Sequence, residues 1–82
     1  MVRIEFDENF KRAVNKIKDI YVTSRIERLL LKIRENPEIG KPMKHERKGT
    51  REVYLPPFRL SYAYDKLNDS IIILDFYHKD EQ

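Results

Sequence analysis

The sequence predicts a two-layer α+β domain of order β-α-α-β-β-β, with two N-terminal helices packed on one face of a small, mainly antiparallel sheet. Three observations carry that reading. Phe58-Arg59-Leu60-Ser61-Tyr62-Ala63-Tyr64 alternates apolar residues with small or polar ones, the period of a half-buried strand. Phe10, Ala13, Val14 and Ile17, and then Ile26, Leu29, Leu30 and Ile33, recur at helical spacing. Ile71-Ile72-Ile73-Leu74 is apolar on both faces, as a central strand would be. Two helical stripes need a surface, and one face of a small sheet supplies it.

The elements follow in order. Val2, Ile4 and Phe6 alternate with Arg3 and Glu5, giving a short first strand. Asp7 caps a first helix that runs to about Asp19, and a hinge is expected around Ile20-Tyr21-Val22. Thr23 or Ser24 caps the second helix, with Glu27 placed for a capping box from Ser24. Asn36-Pro37 ends that helix, because the residue before proline disfavours helical geometry. From Glu38 to Gly49 the chain is polar and reads as a loop, with Gly40, Pro42 and Gly49 as breakers. Arg51 to Leu55 is a strand, and Pro56-Pro57 forces a turn. Phe58 to Asp65 and Ser70 to Tyr77 are strands joined by a turn at Lys66 to Asp69. The single domain is expected to span residues 1–82.

Composition excludes several classes. With 82 residues the chain holds one small core. There are 0 cysteines, hence no disulfide framework and no thiolate metal site. His45 and His78 alone make no metal site, and no cofactor is expected. No apolar run is long enough to span a membrane, and acid at Glu5 comes too early for a signal peptide. The chain therefore reads as cytoplasmic. No phosphate-binding glycine loop and no nucleophile motif is present.

The formal net charge is only +3, but Lys41, Lys44, Arg47, Lys48 and Arg51 lie together against one acid, Glu46. A local basic patch on a near-balanced chain fits a polyanion with a defined footprint; the plain alternative is a solvated loop. Alternation puts Arg59 on the sheet face away from the helices, beside small Ser61 and Ala63. A guanidinium held there can grip a phosphate; otherwise it decorates a wet sheet face. Tyr77-His78-Lys79 ends the last strand and can approach the same face. Such a set suits metal-independent cleavage of RNA, in which the 2′-hydroxyl attacks the adjacent phosphate. Arginine and lysine offset the developing charge, histidine moves protons, and tyrosine stacks on a base.

Several runs together resemble the RelE/ParE superfamily of toxin–antitoxin toxins. Gly40-Lys41-Pro42-Met43-Lys44-His45 is similar to the family's Gly-Lys-Pro-Leu-Lys stretch, the Lys48-Gly49 step matches, and Phe58-Arg59-Leu60-Ser61-Tyr62 is similar to its Tyr-Arg-Ile/Leu-x-Tyr strand. The closing Tyr77-His78-Lys79 looks like the family's last strand, and the likeness covers nearly the whole chain. The resemblance implies a ribosome-dependent mRNA endonuclease held inactive by a small cognate antitoxin, with ribosome and mRNA as the other partners. It implies Arg59, His78 and Lys48 as catalytic residues, and Lys44, Arg47, Arg51, Tyr77 and Lys79 as RNA-binding ones. The ParE branch keeps the fold but inhibits DNA gyrase without nuclease chemistry. A third reading is a RelE-fold binding protein that has lost catalysis. This chain has Tyr54 where many members carry arginine, Arg51 where many carry tryptophan or another large residue, and no tyrosine a few residues after His78.

Overall fold

Residues 2–81 are described in a computed structural model. The chain runs β1 (Arg3–Phe6), α1 (Glu8–Asn15), α2 (Ile20–Glu35), β2 (Lys41–Pro42), a 3-10 turn (His45–Arg47), β3 (Thr50–Leu55), β4 (Phe58–Asp65), β5 (Ser70–His78) and a closing 3-10 turn (Lys79–Glu81). The sheet order is β1-β5-β4-β3-β2, with β1 parallel to β5 and every other pair antiparallel. The α+β class, the hairpins and the position of β5 between two neighbours are as the sequence predicts.

The helix boundaries differ. Asp7 caps α1 as expected, its carboxylate accepting the Asn9 N–H at 2.8 Å. The helix ends at Asn15, where Ile17 N–H bonds the Val14 carbonyl in a tighter i→i+3 turn. Ile17 still packs against the core, so its helical spacing is satisfied from just outside the helix. The expected hinge at Ile20-Tyr21-Val22 is instead the first turn of α2. Asp19 caps it, accepting the Tyr21 N–H at 2.9 Å. Thr23 and Ser24 lie inside the helix, and the Thr23 hydroxyl donates back to the Ile20 carbonyl at 3.0 Å. Asn36 ends α2 as the proline predicts.

The core lies between the helices and one sheet face. Phe10, Ile26, Leu29 and Ile33 meet Leu60, Tyr62, Ile71, Ile73 and Phe76, all buried. Tyr62 does a second job there. Its hydroxyl donates to the Pro37 carbonyl at 2.8 Å and accepts the Gly40 N–H at 2.9 Å, tying down the segment that leaves α2. A Cβ at Gly40 would sit 2.8 Å from two atoms of the Tyr62 ring system, which is why glycine stands there. From Gly40 the chain pairs briefly as β2 and then turns through His45–Arg47 into β3. The sequence predicts only loop where β2 forms. Its two residues are polar or proline, and they pair only at the sheet edge.

One irregularity decides which side chains share a face. Ser61 pairs with Asp75 but Tyr62 pairs with Ile73, so Leu74 is the extra residue of a β-bulge in β5. Before the bulge Ile71 and Ile73 face the core; after it Phe76 does. The alternation is thus inverted for the end of β5. Tyr77 comes opposite Arg59, and His78 comes opposite Phe58 on the helix side.

Candidate functional site

Register builds the site on the helix-free sheet face. Arg59 of β4 lies between Tyr54 of β3 and Tyr77 of β5, with Glu52 two pairs further along β3 and so on the same face. Glu52 is the hub. Its side chain is only 9% exposed. Oε1 accepts from Arg59 Nη1 at 3.3 Å, and Oε2 accepts from Arg47 Nη1 at 3.2 Å and from the Tyr77 hydroxyl. Arg47 Nη1 also donates to the Tyr77 hydroxyl at 3.1 Å, and its guanidinium lies 5.9 Å from that ring's centre. The Tyr77 hydroxyl first, and Glu52 and Asp75 after it, push the Arg47 guanidinium above its ordinary pKa.

Arg59 is held from two sides. Glu52 takes one Nη1 bond, and the exposed Tyr54 ring lies beneath the guanidinium at 5.8 Å. The Tyr54 ring thus braces Arg59 from one side and Glu52 from another. A guanidinium offers five N–H donors in a planar fork, so one bond to Glu52 leaves other donors able to meet an anion. The Arg59 side chain is 38% exposed, open enough to be reached.

The loop places Arg47 over this face. Met43 N–H bonds the Thr50 carbonyl at 3.0 Å, and the Thr50 hydroxyl donates to the Arg47 carbonyl at 2.7 Å, closing the loop at both ends. Gly49 supplies the return at φ 96°, a left-handed geometry open to glycine. Lys44 and Lys48 flank the turn, exposed and without a side-chain ion pair among the described residues.

The other expected site residues are arranged differently. Arg51 shares the core-side parity of Val53 and Leu55. It donates to the Glu38 and Gly40 carbonyls at 3.0 and 2.8 Å, and its Nη2 lies 3.7 Å from the Glu38 carboxylate. It fastens the loop and does not face the Arg59 side. His78 packs edge-on against Phe58, with ring centres 5.7 Å apart, and its Nδ1 accepts the Asp80 N–H at 3.2 Å. The bulge turns it away from Arg59, so the two do not share a face. Lys79 is exposed in the turn just after β5, its N–H bonded to the Pro57 carbonyl at 3.0 Å. The face is also less basic than the loop sequence suggests, because Glu52 and Asp75 stand among the arginines.

Glu52 is the residue that sequence reading passed over. Its signal was present: in Thr50-Arg51-Glu52-Val53, period-2 parity puts the acid opposite Ser61, on the face of Arg59. No helix among the described residues is long and apolar enough to cross a membrane.

Solved structures share this fold. The fold is similar to the RelBE2 toxin–antitoxin complex of Mycobacterium tuberculosis, with TM-score 0.81, 23% identity, and 95% of this chain and 98% of that chain covered. It is also similar to the isolated RelE toxin of E. coli, with TM-score 0.78, 16% identity, and 95% and 84% covered. The intact E. coli RelBE complex gives TM-score 0.79 at 16% identity, covering 95% and 96%. At these identities the likeness is one of fold. No curated protein matches by sequence. Residues 4–82 match the family described as ParE toxin of type II toxin-antitoxin system, parDE. A match of that extent makes the chain a member of the ParE toxin family of type II toxin–antitoxin systems.

Proposed function

We propose that this toxin is a ribosome-dependent endoribonuclease that cleaves mRNA by metal-independent attack of a 2′-hydroxyl on the adjacent phosphate. The observation that carries the reading is the Arg59 fork, braced by Glu52 and Tyr54 on the helix-free face beneath a basic loop. Charge fixed in advance where negative charge develops lowers the barrier without reorganisation. Arg59 holds the scissile phosphate, and Arg47, Lys44 and Lys48 gather the strand from the loop side. His78 is turned from Arg59, so proton transfer falls to the hydroxyl–carboxylate pair of Tyr77 and Glu52. That pair can take the 2′-proton or return one to the departing 5′-oxygen. The Arg59 guanidinium lies on an open sheet face, its side chain 38% exposed, and in this reading the ribosome supplies the positioning. A cognate antitoxin is its second partner, as in the toxin–antitoxin complexes of the same fold.

A second reading is a non-enzymatic gyrase inhibitor. The turning of His78 away from Arg59 favours it, since a binding module needs no imidazole at that site. The test is expression in a translating extract with mRNA 5′ ends mapped. Cleavage of ribosome-bound mRNA supports the nuclease. Arrested translation with intact mRNA overturns it, and DNA breaks trapped with gyrase select the second reading.

A further inference from the structure

Beside the Arg59 site lies a cleft of about 580 Å³ between α1 and the end of β5. Its walls are Arg12, Lys16, Arg47, Asp75, Phe76 and Tyr77. It exists because β1 covers only the first half of β5, through Ile73. Beyond that point α1 takes the place of a strand and leaves a trough along the strand's edge.

The α1 face that looks into this trough differs from the face in the core. Phe10 and Val14 pack inward, with Ala13 at the edge of that packing and Ile17 just beyond the helix end. Arg12 and Lys16 sit four residues apart on the other side, with small Ala13 between them in the floor. Neither cation makes an ion pair among the described residues. The one acid in the wall, Asp75, already accepts the Phe76 N–H at 2.8 Å. With Arg47 already paired to Glu52 and Asp75 engaged, Arg12 and Lys16 give the trough its net positive charge, and Arg47 and Tyr77 belong both to it and to the Glu52 cluster.

We infer that this cleft binds the phosphodiester backbone of single-stranded RNA next to the phosphate held at Arg59, with Arg12 and Lys16 each contacting a phosphate. The inference rests on the proposed nuclease reading. The shared wall makes the two sites one continuous path, and a flexible single strand can turn from the sheet face into the trough where a rigid duplex cannot. Elsewhere on α1 the exposed cation Lys11 is paired with Glu8 at 3.5 Å, which leaves the trough side as the helix's open positive face.

The test is fluorescence-anisotropy binding of a labelled 2′-O-methyl oligouridylate, which cannot be cleaved by 2′-attack. It uses the purified chain, Arg12→Gln/Lys16→Gln, and Arg59→Gln, across roughly 50 to 200 mM salt. Each phosphate contact to a single strand contributes about 0.7 to the slope of log affinity against log salt, so losing two should flatten it by about 1.4. The affinity of the double variant should fall roughly tenfold at low salt. Both positions are exposed, and matching circular dichroism will show that the fold is kept. Arg12→Lys should retain the wild-type slope. An unchanged slope in the double variant overturns the cleft while leaving the nuclease reading intact, provided Arg59→Gln still weakens binding. A flattened slope in the double variant with no effect of Arg59→Gln supports the cleft and counts against the Arg59 site. No RNA binding by the wild type, or tighter binding of an oligoglutamate peptide in the same cleft, overturns the inference.

Discussion

Glu52 Oε1 accepts a hydrogen bond from Arg59 Nη1 at 3.3 Å, joining a nearly buried carboxylate to a partly exposed arginine on the helix-free face. The pair sets both the direction of the guanidinium and the charge that a ligand meets. Glu52 also holds Arg47 and Tyr77, so one side chain orders three others. Its substitution should affect function more than stability.

Glu52→Gln keeps the shape and removes the charge. Both arginines are more than a third exposed, 38% and 53%, so solvent already weakens their pairing. The expected stability loss is about 1 kcal/mol, read from urea unfolding. Cleavage should fall roughly tenfold, because a loosened Arg59 is no longer held for the phosphate. A double-mutant cycle with Arg59→Gln should show coupling between the two in the cleavage rate. Additive effects would mean that Glu52 does not position Arg59.

His78→Ala should leave cleavage within about twofold of wild type, since the imidazole faces Phe58. Tyr77→Phe should lower it much more, measured in the same 5′-end assay. The opposite ranking would place His78 at the reacting phosphate after all.

This ranking reverses the one the sequence suggests, and the bulge explains why. In a regular strand Tyr77 would share the parity of Ile71 and Ile73 and turn to the core, while His78 would join Arg59. Leu74 inverts that. The sequence could not show it, because Ile71-Ile72-Ile73-Leu74 is apolar on both faces and carries no parity of its own. The Phe58 to Tyr64 run does carry parity, so Arg59 was placed correctly. Arg51 was assigned by its neighbours in a basic run and not by its parity with Val53 and Leu55. The boundary between α1 and α2 was misplaced because Ile17 keeps helical spacing after the helix has ended. The apolar spacing carries the first helix to Asp19 and hides that residue's role as the cap of α2.

Tyr62→Phe should destabilise the chain by about 1–3 kcal/mol in urea unfolding, leaving the Gly40 N–H and the Pro37 carbonyl without their partner. Gly40→Ala should also destabilise, since the ring it would strike is fully buried. Both variants should weaken RNA binding as well, because that segment leads into the loop bearing Arg47. Unchanged unfolding midpoints would refute this account of the loop's anchor.

Burial raises the Tyr62 phenol above its ordinary pKa, outweighing the Gly40 N–H and the nearby Arg51, which lower it. The folded state therefore keeps the proton longer than the unfolded one. The stability this gives is complete below the unfolded value of about 10 and is lost as pH rises through the folded one. Unfolding free energy should fall on going above about pH 10. Tyr62→Phe should flatten part of that fall; Tyr64, raised chiefly by desolvation too, leaves the remainder. A wild-type curve that stays level there would contradict the assignment.

The most direct test of the central claim is a comparison of wild type, Arg59→Lys and Arg59→Gln in a translating extract, with mRNA 5′ ends mapped. Lysine keeps the charge but loses the planar fork that both Glu52 and a phosphate engage. Cleavage should drop at least about tenfold in Arg59→Lys and vanish in Arg59→Gln. Cleavage at the wild-type level in Arg59→Gln would contradict the account.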